Sequence, residues 1–255
     1  MNSQKGPIFV NPRKLWRNLW DTTVQISQPD EHPDCLNQPA PKTDLPEQSK
    51  PIAPQNLGQD ATALGLDLIP YPYDESIVRQ KRLGLSSRKF EDAKRKLEEH
   101  HCIWIFPIGR WRFLVAFVNL YRLFNISPLQ ELNPHSFAVN LACHCLRQDP
   151  AIDRLQKEGK VGDSNAAVDI LVHLKDGFRE VYEITLSAGN VPSNAAKLQN
   201  MGFSRIVFLC RDYKIQQAAW ASLRESGLPQ GFLSRLRCIL FSTLLKKYRA
   251  IEQEE

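Results

Sequence analysis

Two acidic residues, Asp169 and Glu183, are the pair in this chain whose type and spacing best suit chemistry. Each lies within a run of β-branched and apolar residues, at 168–174 (VDILVHL) and 179–186 (REVYEITL), and a short turn separates the runs. This pattern predicts a β-hairpin. Because side chains alternate between the two faces of a strand, the pairing register decides whether the two carboxylates meet.

The register of this hairpin follows from the length of its turn. A turn of two residues would leave Asp169 and Glu183 on opposite faces and mix charged with apolar residues on both. A turn of three residues ending at Gly177, which readily takes the positive φ of a bulged hairpin, pairs Ile170 with Tyr182. That register makes one face almost wholly apolar and sets Asp169 across from Glu183 on the other. Burial and carboxylate convergence favour the same register, so we expect the longer turn.

Paired carboxylates have a characteristic chemistry. They repel each other unless a cation or a proton lies between them. Mg²⁺ is held in proteins by one or two carboxylates together with water and phosphate oxygens, and it lowers the pKa of bound water beside a phosphate under attack. We therefore predict that Asp169 and Glu183 bind Mg²⁺ or Mn²⁺ for metal-dependent cleavage of DNA. The alternative is a solvated strand face, on which Asp and Glu are common.

The elements around this pair follow in the order helix, strand, hairpin strand, helix, strand, and two further helices complete the region. Apolar spacing places them at residues 134–148, 168–174, 179–186, 191–201, 205–210, 214–226 and 230–250. This order, with Asp169 before the hairpin turn and Glu183 after it, resembles the PD-(D/E)XK nuclease superfamily over residues 130–225. In that superfamily an Asp on one strand and a Glu on the next bind the catalytic metal.

The resemblance also bears on a catalytic lysine. The superfamily usually carries it two residues after the Glu, where this chain has Thr185. Some members carry it on the following helix, which implies this role for Lys197; the alternative is an ordinary surface lysine. His135, at the opening of the preceding helix, is a further candidate to approach the metal, or else a capping or packing residue. Three polar residues past Glu183 are candidates to contact phosphate or to cap the following helix, namely Ser187, Asn190 and Asn194.

Residues 74–125 predict a second functional region. A short helix, a break at 83–85 (LGL), a longer helix and a two-stranded hairpin with strands at 102–106 and 111–118 form the pattern of a winged helix-turn-helix. Basic residues on the longer helix and the hairpin turn suit contact with double-stranded DNA; the alternative is a solvated amphipathic helix. The predicted DNA-contacting residues are Arg88, Lys89, Arg95, Lys96, Arg110 and Arg112.

Charge distribution supports this assignment more strongly than total charge does. The chain has 33 basic and 28 acidic residues, a net charge of +5. The net charge is −2 over residues 1–69, +5 over 70–125 and +2 over 126–255. The excess of base therefore lies in the predicted DNA-contacting region, where it would release counterions from phosphate and make affinity fall with salt.

A winged helix followed by a nuclease-like domain resembles two groups of plasmid and integrative-element proteins. These are the replication-relaxation family and the restriction-endonuclease-like mobilisation relaxases, and the similarity lies in residues 85–90 (LSSRKF), 110–118, 168–170 (VDI) and 183–185 (EIT). The relaxases usually carry a further acid after the Glu, where Thr185 stands here. The resemblance implies nicking or processing of transfer-origin DNA during conjugation. The alternative is a non-catalytic DNA-binding accessory or regulatory protein with a degenerate nuclease fold.

The sequence predicts an α/β protein in three parts. Residues 1–69 are expected to be an N-terminal peptide and a largely disordered linker, because 28–66 hold seven of the 17 prolines. Residues 70–127 are expected to form the winged helix and 128–255 the nuclease-like domain, with homodimerisation as one role of its surface. The segment 13–20 (RKLWRNLW) is a candidate docking peptide for a relaxosome protein or secretion ATPase, or it docks on the folded domains themselves.

Several function classes are disfavoured by the sequence. The six cysteines lack paired CxxC spacing and are expected to be reduced core thiols. Cys143, His144 and Cys145 are adjacent on a predicted helix, so their side chains diverge and do not suit one zinc ion. The chain lacks an apolar run of membrane-spanning length, a signal-peptide core and a glycine-rich phosphate loop. We therefore expect a cytoplasmic protein with no membrane contact and no use of ATP.

Overall fold

The computed structural model describes residues 57–126, 133–160 and 167–252, all of which belong to one compact unit. A helix-rich region with a two-stranded hairpin is followed by a five-stranded mixed sheet flanked by helices. The predicted α/β class is confirmed at this level. No helix within the described residues is long and apolar enough to cross a membrane.

The helix-rich region contains four helices and one hairpin. Its elements are α1 (Gln59–Leu68), α2 (Ser76–Arg82), α3 (Ser87–Glu99), β1 (Ile103–Ile108), β2 (Trp111–Ala116) and α4 (Val118–Leu123). Ser86 caps α3 by accepting a hydrogen bond from the Lys89 backbone N–H, which satisfies one of the free donors at the helix start. β1 and β2 pair antiparallel, with Phe106 opposite Phe113.

Helix α1 corrects the predicted linker. Residues 57–69 were expected to be part of the disordered segment, but Ala61, Leu64 and Leu68 recur at helical spacing and are buried in a core that includes Phe90 and Leu97 of α3. The prediction is therefore wrong for residues 57–69, because the proline-rich composition ends before α1 begins. Residues 1–56, including the candidate docking peptide, lie outside the described residues.

A buried ion pair joins α1 to α2. The fully buried guanidinium of Arg79 donates to Asp67 Oδ2 at 2.9 Å and to the Asp74 carbonyl at 3.1 Å. Burial opposes ionisation of Asp67, but hydrogen bonds from Arg82 and Arg79 outweigh it and lower the pKa of this carboxyl. The pair fixes the orientation of α2 on α1.

Removal of this carboxylate is expected to destabilise the fold strongly. Asp67→Ala leaves the Arg79 charge buried without its counter-ion, which costs about 3 kcal/mol of unfolding free energy, the lower end for such pairs because Arg79 keeps backbone carbonyl partners. Asp74→Ala, which removes only the more exposed partner of Arg82, should cost less than about 1 kcal/mol. Urea unfolding of both variants measures the difference, and equal losses would contradict a structural role for the Asp67–Arg79 pair.

The second region is built on a single sheet. Its strands are β3 (Ile152–Lys160), β4 (Ala167–Leu174), β5 (Arg179–Thr185), β6 (Arg205–Cys210) and β7 (Leu236–Leu240), in that spatial order. The flanking helices are α5 (Pro134–Leu146), α6 (Val191–Leu198), α7 (Tyr213–Glu225), α8 (Gln230–Leu233) and α9 (Phe241–Glu252). β3 to β5 run antiparallel, whereas β5, β6 and β7 are parallel and connect through α6 and α7.

Two elements of this region differ from the sequence prediction. The predicted helix at 230–250 is interrupted by β7, because its short apolar run at 236–240 (LRCIL) has no periodicity that separates a strand from a buried helical turn. β3 was not predicted, because its residues 152–160 (IDRLQKEGK) are mostly polar. That composition suits a strand at the edge of a sheet, where charged side chains prevent pairing with other chains.

The predicted register of the β4–β5 hairpin is confirmed. Ile170 pairs with Tyr182, and the Leu174 N–H donates to the Phe178 carbonyl at 2.9 Å. Gly177 has φ of 84°, as a bulged three-residue turn requires. Asp169 and Glu183 therefore project from the same face of the hairpin.

Candidate active site

The two predicted carboxylates line one cavity of about 190 Å³. It lies beside the start of β4, the end of β5 and the start of α6. Its lining residues are His135, Asp169, Glu183, Ile184, Thr185, Leu186, Ser187, Asn190, Val191 and Asn194. The structure thus brings three of the four predicted catalytic residues together. The fourth, Lys197, is not among the lining residues.

Asp169 is held at both carboxylate oxygens. Oδ1 lies 3.0 Å from His135 Nε2, and Oδ2 accepts a hydrogen bond from the Ile184 backbone N–H at 2.7 Å. The hydrogen bond to Asp169 raises the pKa of His135, although burial opposes this effect. The charged form of His135 is therefore favoured at this position, and its ring fixes the orientation of Asp169.

Glu183 is the most perturbed acid in this cavity. Burial raises its pKa to about 8, and the nearby charge of Asp169 acts in the same direction. A hydrogen bond from the Asp169 backbone N–H and the charges of His135 and Lys197 only partly offset this. At neutral pH the Glu183 carboxyl is therefore mostly protonated unless a cation stabilises its charged form.

Lys197 reaches the site through an intermediate side chain. Its Nζ lies 3.5 Å from Asn194 Oδ1, and Asn194 Nδ2 donates to Glu183 Oε2 at 3.2 Å. Thr185, two residues after Glu183, is buried, and its hydroxyl is directed at the Glu183 carbonyl oxygen at 3.4 Å. Asn194 consequently links Lys197 to Glu183.

The donor set fits a hard divalent cation with few protein ligands. Within residues 57–126, 133–160 and 167–252 no group of three or more His, Cys, Asp and Glu side chains is arranged to hold a metal. Two carboxylates that line a cavity of about 190 Å³ nevertheless match the requirement of Mg²⁺, which keeps several water ligands. Asp169 and Glu183 would hold this ion. Its positive charge would stabilise the ionised form of Glu183 and so lower the pKa of this carboxyl.

The six predicted DNA-contacting residues are all exposed, four on α3 and two at the β1–β2 hairpin. Their environments differ. Arg95 pairs with Asp92 and Glu99 of its own helix, at 3.2 Å in each case. Arg110 lies over the Trp111 ring at 5.0 Å, and Arg112 donates to the Gly109 carbonyl at 2.9 Å. Part of the basic charge is therefore already engaged within the protein.

The turn of this hairpin is docked on the second region. Gly109 has φ of 57°, and a Cβ atom at this position would lie 3.4 Å from the Ser242 Cβ of α9. The sequence predicts that this turn is the tip of the wing in a winged helix, with Arg110 and Arg112 available to contact DNA. Both side chains are exposed, but one side of the turn lies against α9. No local pattern could predict this contact, because the two residues are far apart in the chain.

A buried polar group lies on the opposite side of the sheet from Glu183. Burial raises the pKa of Glu180, whose Oε2 accepts a hydrogen bond from the Tyr182 hydroxyl at 3.2 Å and whose Oε1 lies 3.5 Å from Arg205. The only sequence signal for this group is a lone acid on the apolar face of a strand. The Tyr182 hydroxyl is engaged in the hydrogen bond to Glu180, and the side chain is directed away from the cavity.

No family model, curated protein or solved structure matches this chain.

Proposed function

We propose that this protein is a metal-dependent DNA endonuclease that nicks DNA, in the class of PD-(D/E)XK-like relaxases. One observation carries the proposal. Asp169 and Glu183 share a cavity in which burial, together with the charge of Asp169, raises the pKa of Glu183 to about 8, so that a divalent cation would stabilise the ionised form of this carboxyl. Perturbed carboxylates in a cleft are a frequent feature of catalytic sites.

Each residue of the cavity has a role in this proposal. Asp169 and Glu183 would hold Mg²⁺ or Mn²⁺, which would supply an acidified water and offset charge on the phosphate. His135 keeps a proton near Asp169 and fixes its orientation. Asn194 and Lys197 hold the Glu183 carboxylate from the other side.

The finer fold assignment is part of the same proposal. Helices α1 to α3, the β1–β2 hairpin and an isolated bridge between Glu75 and Phe113 support a winged helix-turn-helix, since the bridge places the chain before α2 beside β2. The β4–β5 hairpin followed by α6 and the parallel strand β6 supports a nuclease-like domain. The resemblance of residues 85–90 and 183–185 to plasmid proteins supports a role in mobilisation, in the cytoplasm and with a relaxosome or secretion ATPase as partner.

The direct test uses purified protein and supercoiled plasmid carrying the transfer region of the parent element. We expect conversion to open circles with Mg²⁺ or Mn²⁺ and none with EDTA. Accumulation of linear plasmid would indicate double-strand cleavage instead of nicking.

A second candidate function is a non-catalytic DNA-binding accessory protein. Thr185 in place of the usual lysine, together with the position of Lys197 outside the cavity lining, favours it. In that case the plasmid stays supercoiled with every metal, although the protein still retards it on a gel.

DNA contact by α3 makes a prediction common to both functions. Arg88→Ala with Lys89→Ala should weaken duplex binding about tenfold or more at moderate salt, because each lost phosphate contact removes counterion release. The slope of log affinity against log salt should fall by about 2, near 0.9 per phosphate contact. Fluorescence anisotropy with a labelled duplex over a salt series measures both quantities.

The matched control changes the same charge elsewhere. Lys214→Ala with Arg224→Ala removes two exposed basic residues of α7. We expect nearly unchanged affinity and slope for this variant. If the two double variants weaken binding equally, the contact is a general charge effect and α3 is not the DNA-contacting helix.

A further inference from the structure

Helix α5 lies between the two functional regions of the protein. Its N-terminus is fixed by Asn133, whose side chain accepts a hydrogen bond from the Ser136 backbone N–H at 2.8 Å. His135 and Phe137 follow in the first turn of the helix. Side chains two positions apart on an α-helix point about 200° apart, so these two residues face different neighbours.

The two sides of α5 make different contacts. His135 lies 3.0 Å from Asp169 in the candidate active site and keeps about half of its side chain exposed (48%). Phe137 is fully buried, and its ring packs on the β1–β2 hairpin, with centroid distances of 5.4 Å to Phe106 and 6.0 Å to Phe113. One rigid helical turn therefore joins the hairpin to the carboxylate site.

The hairpin face that contacts Phe137 lies opposite the face that carries Arg112, a predicted DNA-contacting residue next to the turn. Arg112 and Phe113 are neighbours on β2, and consecutive side chains of a strand point to opposite faces. Arg112 is exposed while Phe113 is buried against α5. Tyr73, which precedes α2, completes this aromatic cluster at 5.9 Å from the Phe137 ring. A movement of the hairpin on DNA would thus be transmitted to Phe137.

We propose that Phe137 is a positioning residue that couples DNA contact at the β1–β2 hairpin to the placement of His135 beside Asp169. The proposal rests on the proposed function and adds a regulation of that same site. Packed aromatic rings transmit displacement because protein interiors are close-packed. The His135–Asp169 hydrogen bond is sensitive to such displacement, since a hydrogen bond weakens steeply with distance and angle.

The test compares two leucine variants of fully or nearly fully buried phenylalanines in the full-length protein. Phe137→Leu keeps an apolar side chain but loses the ring contacts to the hairpin. Phe232→Leu, on α8 and buried in the core of the sheet region, is the control for general loss of packing. Thermal unfolding should show similar losses of stability in the two variants. Any difference between their nicking rates is then due to where each phenylalanine lies in the fold.

The expected kinetic result is a split between binding and turnover. Phe137→Leu should bind a short duplex oligonucleotide as wild type does but nick supercoiled plasmid about tenfold more slowly at saturating protein, because misplacement of a reacting group lowers the rate steeply. Phe232→Leu should nick at nearly the wild-type rate. Equal nicking rates in the two variants would overturn the proposal.

A second readout does not depend on cleavage. The His135 ring resonance, assigned by comparison with His135→Asn, should shift when the duplex is added to wild type in EDTA, and this shift should be lost in Phe137→Leu but kept in Phe232→Leu. If wild type never nicks but shows this pattern, the coupling stands and the nuclease function falls. If wild type nicks and duplex leaves the resonance unchanged, the nuclease function stands and the coupling falls.

Discussion

Asp169→Ala and Glu183→Ala are each expected to reduce the proposed metal-dependent nicking of supercoiled plasmid by about 100-fold or more. The physical reason is that each variant removes one of the two carboxylates available to the metal in this cavity. A catalytic metal contributes several kcal/mol of transition-state stabilisation, and each 1.36 kcal/mol corresponds to about a tenfold change in rate. Time courses of open-circle formation at fixed Mg²⁺ or Mn²⁺ measure the loss.

Two further variants separate loss of the site from loss of the fold. Asp169→Asn keeps the size of the side chain and an oxygen for the Ile184 N–H, so an equal loss of nicking would identify the charge as the cause. Asp153→Ala removes an exposed acid from the edge strand β3 and should nick like wild type. All variants should retain duplex binding. Nicking by Asp169→Ala and Glu183→Ala at the wild-type rate would exclude this cavity as the active site.

The hairpin that carries the pair was predictable because several local rules agree on it. Alternating apolar residues at 168–174 and 179–186 set the strands, and Gly177 allowed the positive φ that the longer turn requires. A slip of one residue would have separated the carboxylates and exposed the apolar face. Local consistency of this kind makes a register predictable from one sequence.

The remaining features depend on contacts that the sequence does not record. Gly109 meets Ser242, and Phe137 meets Phe106, only because the two regions pack as one unit. The predicted linker extended too far because the proline-rich segment at 28–66 overlaps the first residues of α1. Lys197 was predicted only to lie on the helix that follows Glu183, and its contact through Asn194 depends on where α6 begins.

These long-range contacts hold the helix-rich region against the sheet region. A winged helix and a nuclease joined by a flexible linker would contact and cleave DNA at variable separations. Here α5 packs on the hairpin and also carries His135 to Asp169. A fixed geometry of this kind would confine nicking to one distance from the contacted duplex.

The proposed site would exchange a proton on Glu183 for a metal ion, and Glu183→Gln is expected to reveal this through stability. The folded-state pKa of Glu183 is about 8 against an ordinary value of 4.5. A raised folded-state pKa means that stability is fully present below pH 4.5 and is lost as pH rises through 8. The glutamine variant lacks this titration. It should therefore match wild type near pH 4.5 and exceed it by on the order of 4 kcal/mol near pH 9 in EDTA.

Added metal should remove this advantage, which distinguishes a metal site from a merely buried acid. Mg²⁺ or Mn²⁺ stabilises the charged form of Glu183, so wild type gains stability by mass action above pH 7 and releases a proton on binding. Glu183→Gln should gain much less from metal. Urea unfolding across pH 4.5 to 9, with and without metal, measures both effects. A glutamine advantage that metal leaves unchanged would identify Glu183 as a buried acid in a retired site, and the accessory-protein function would then be preferred.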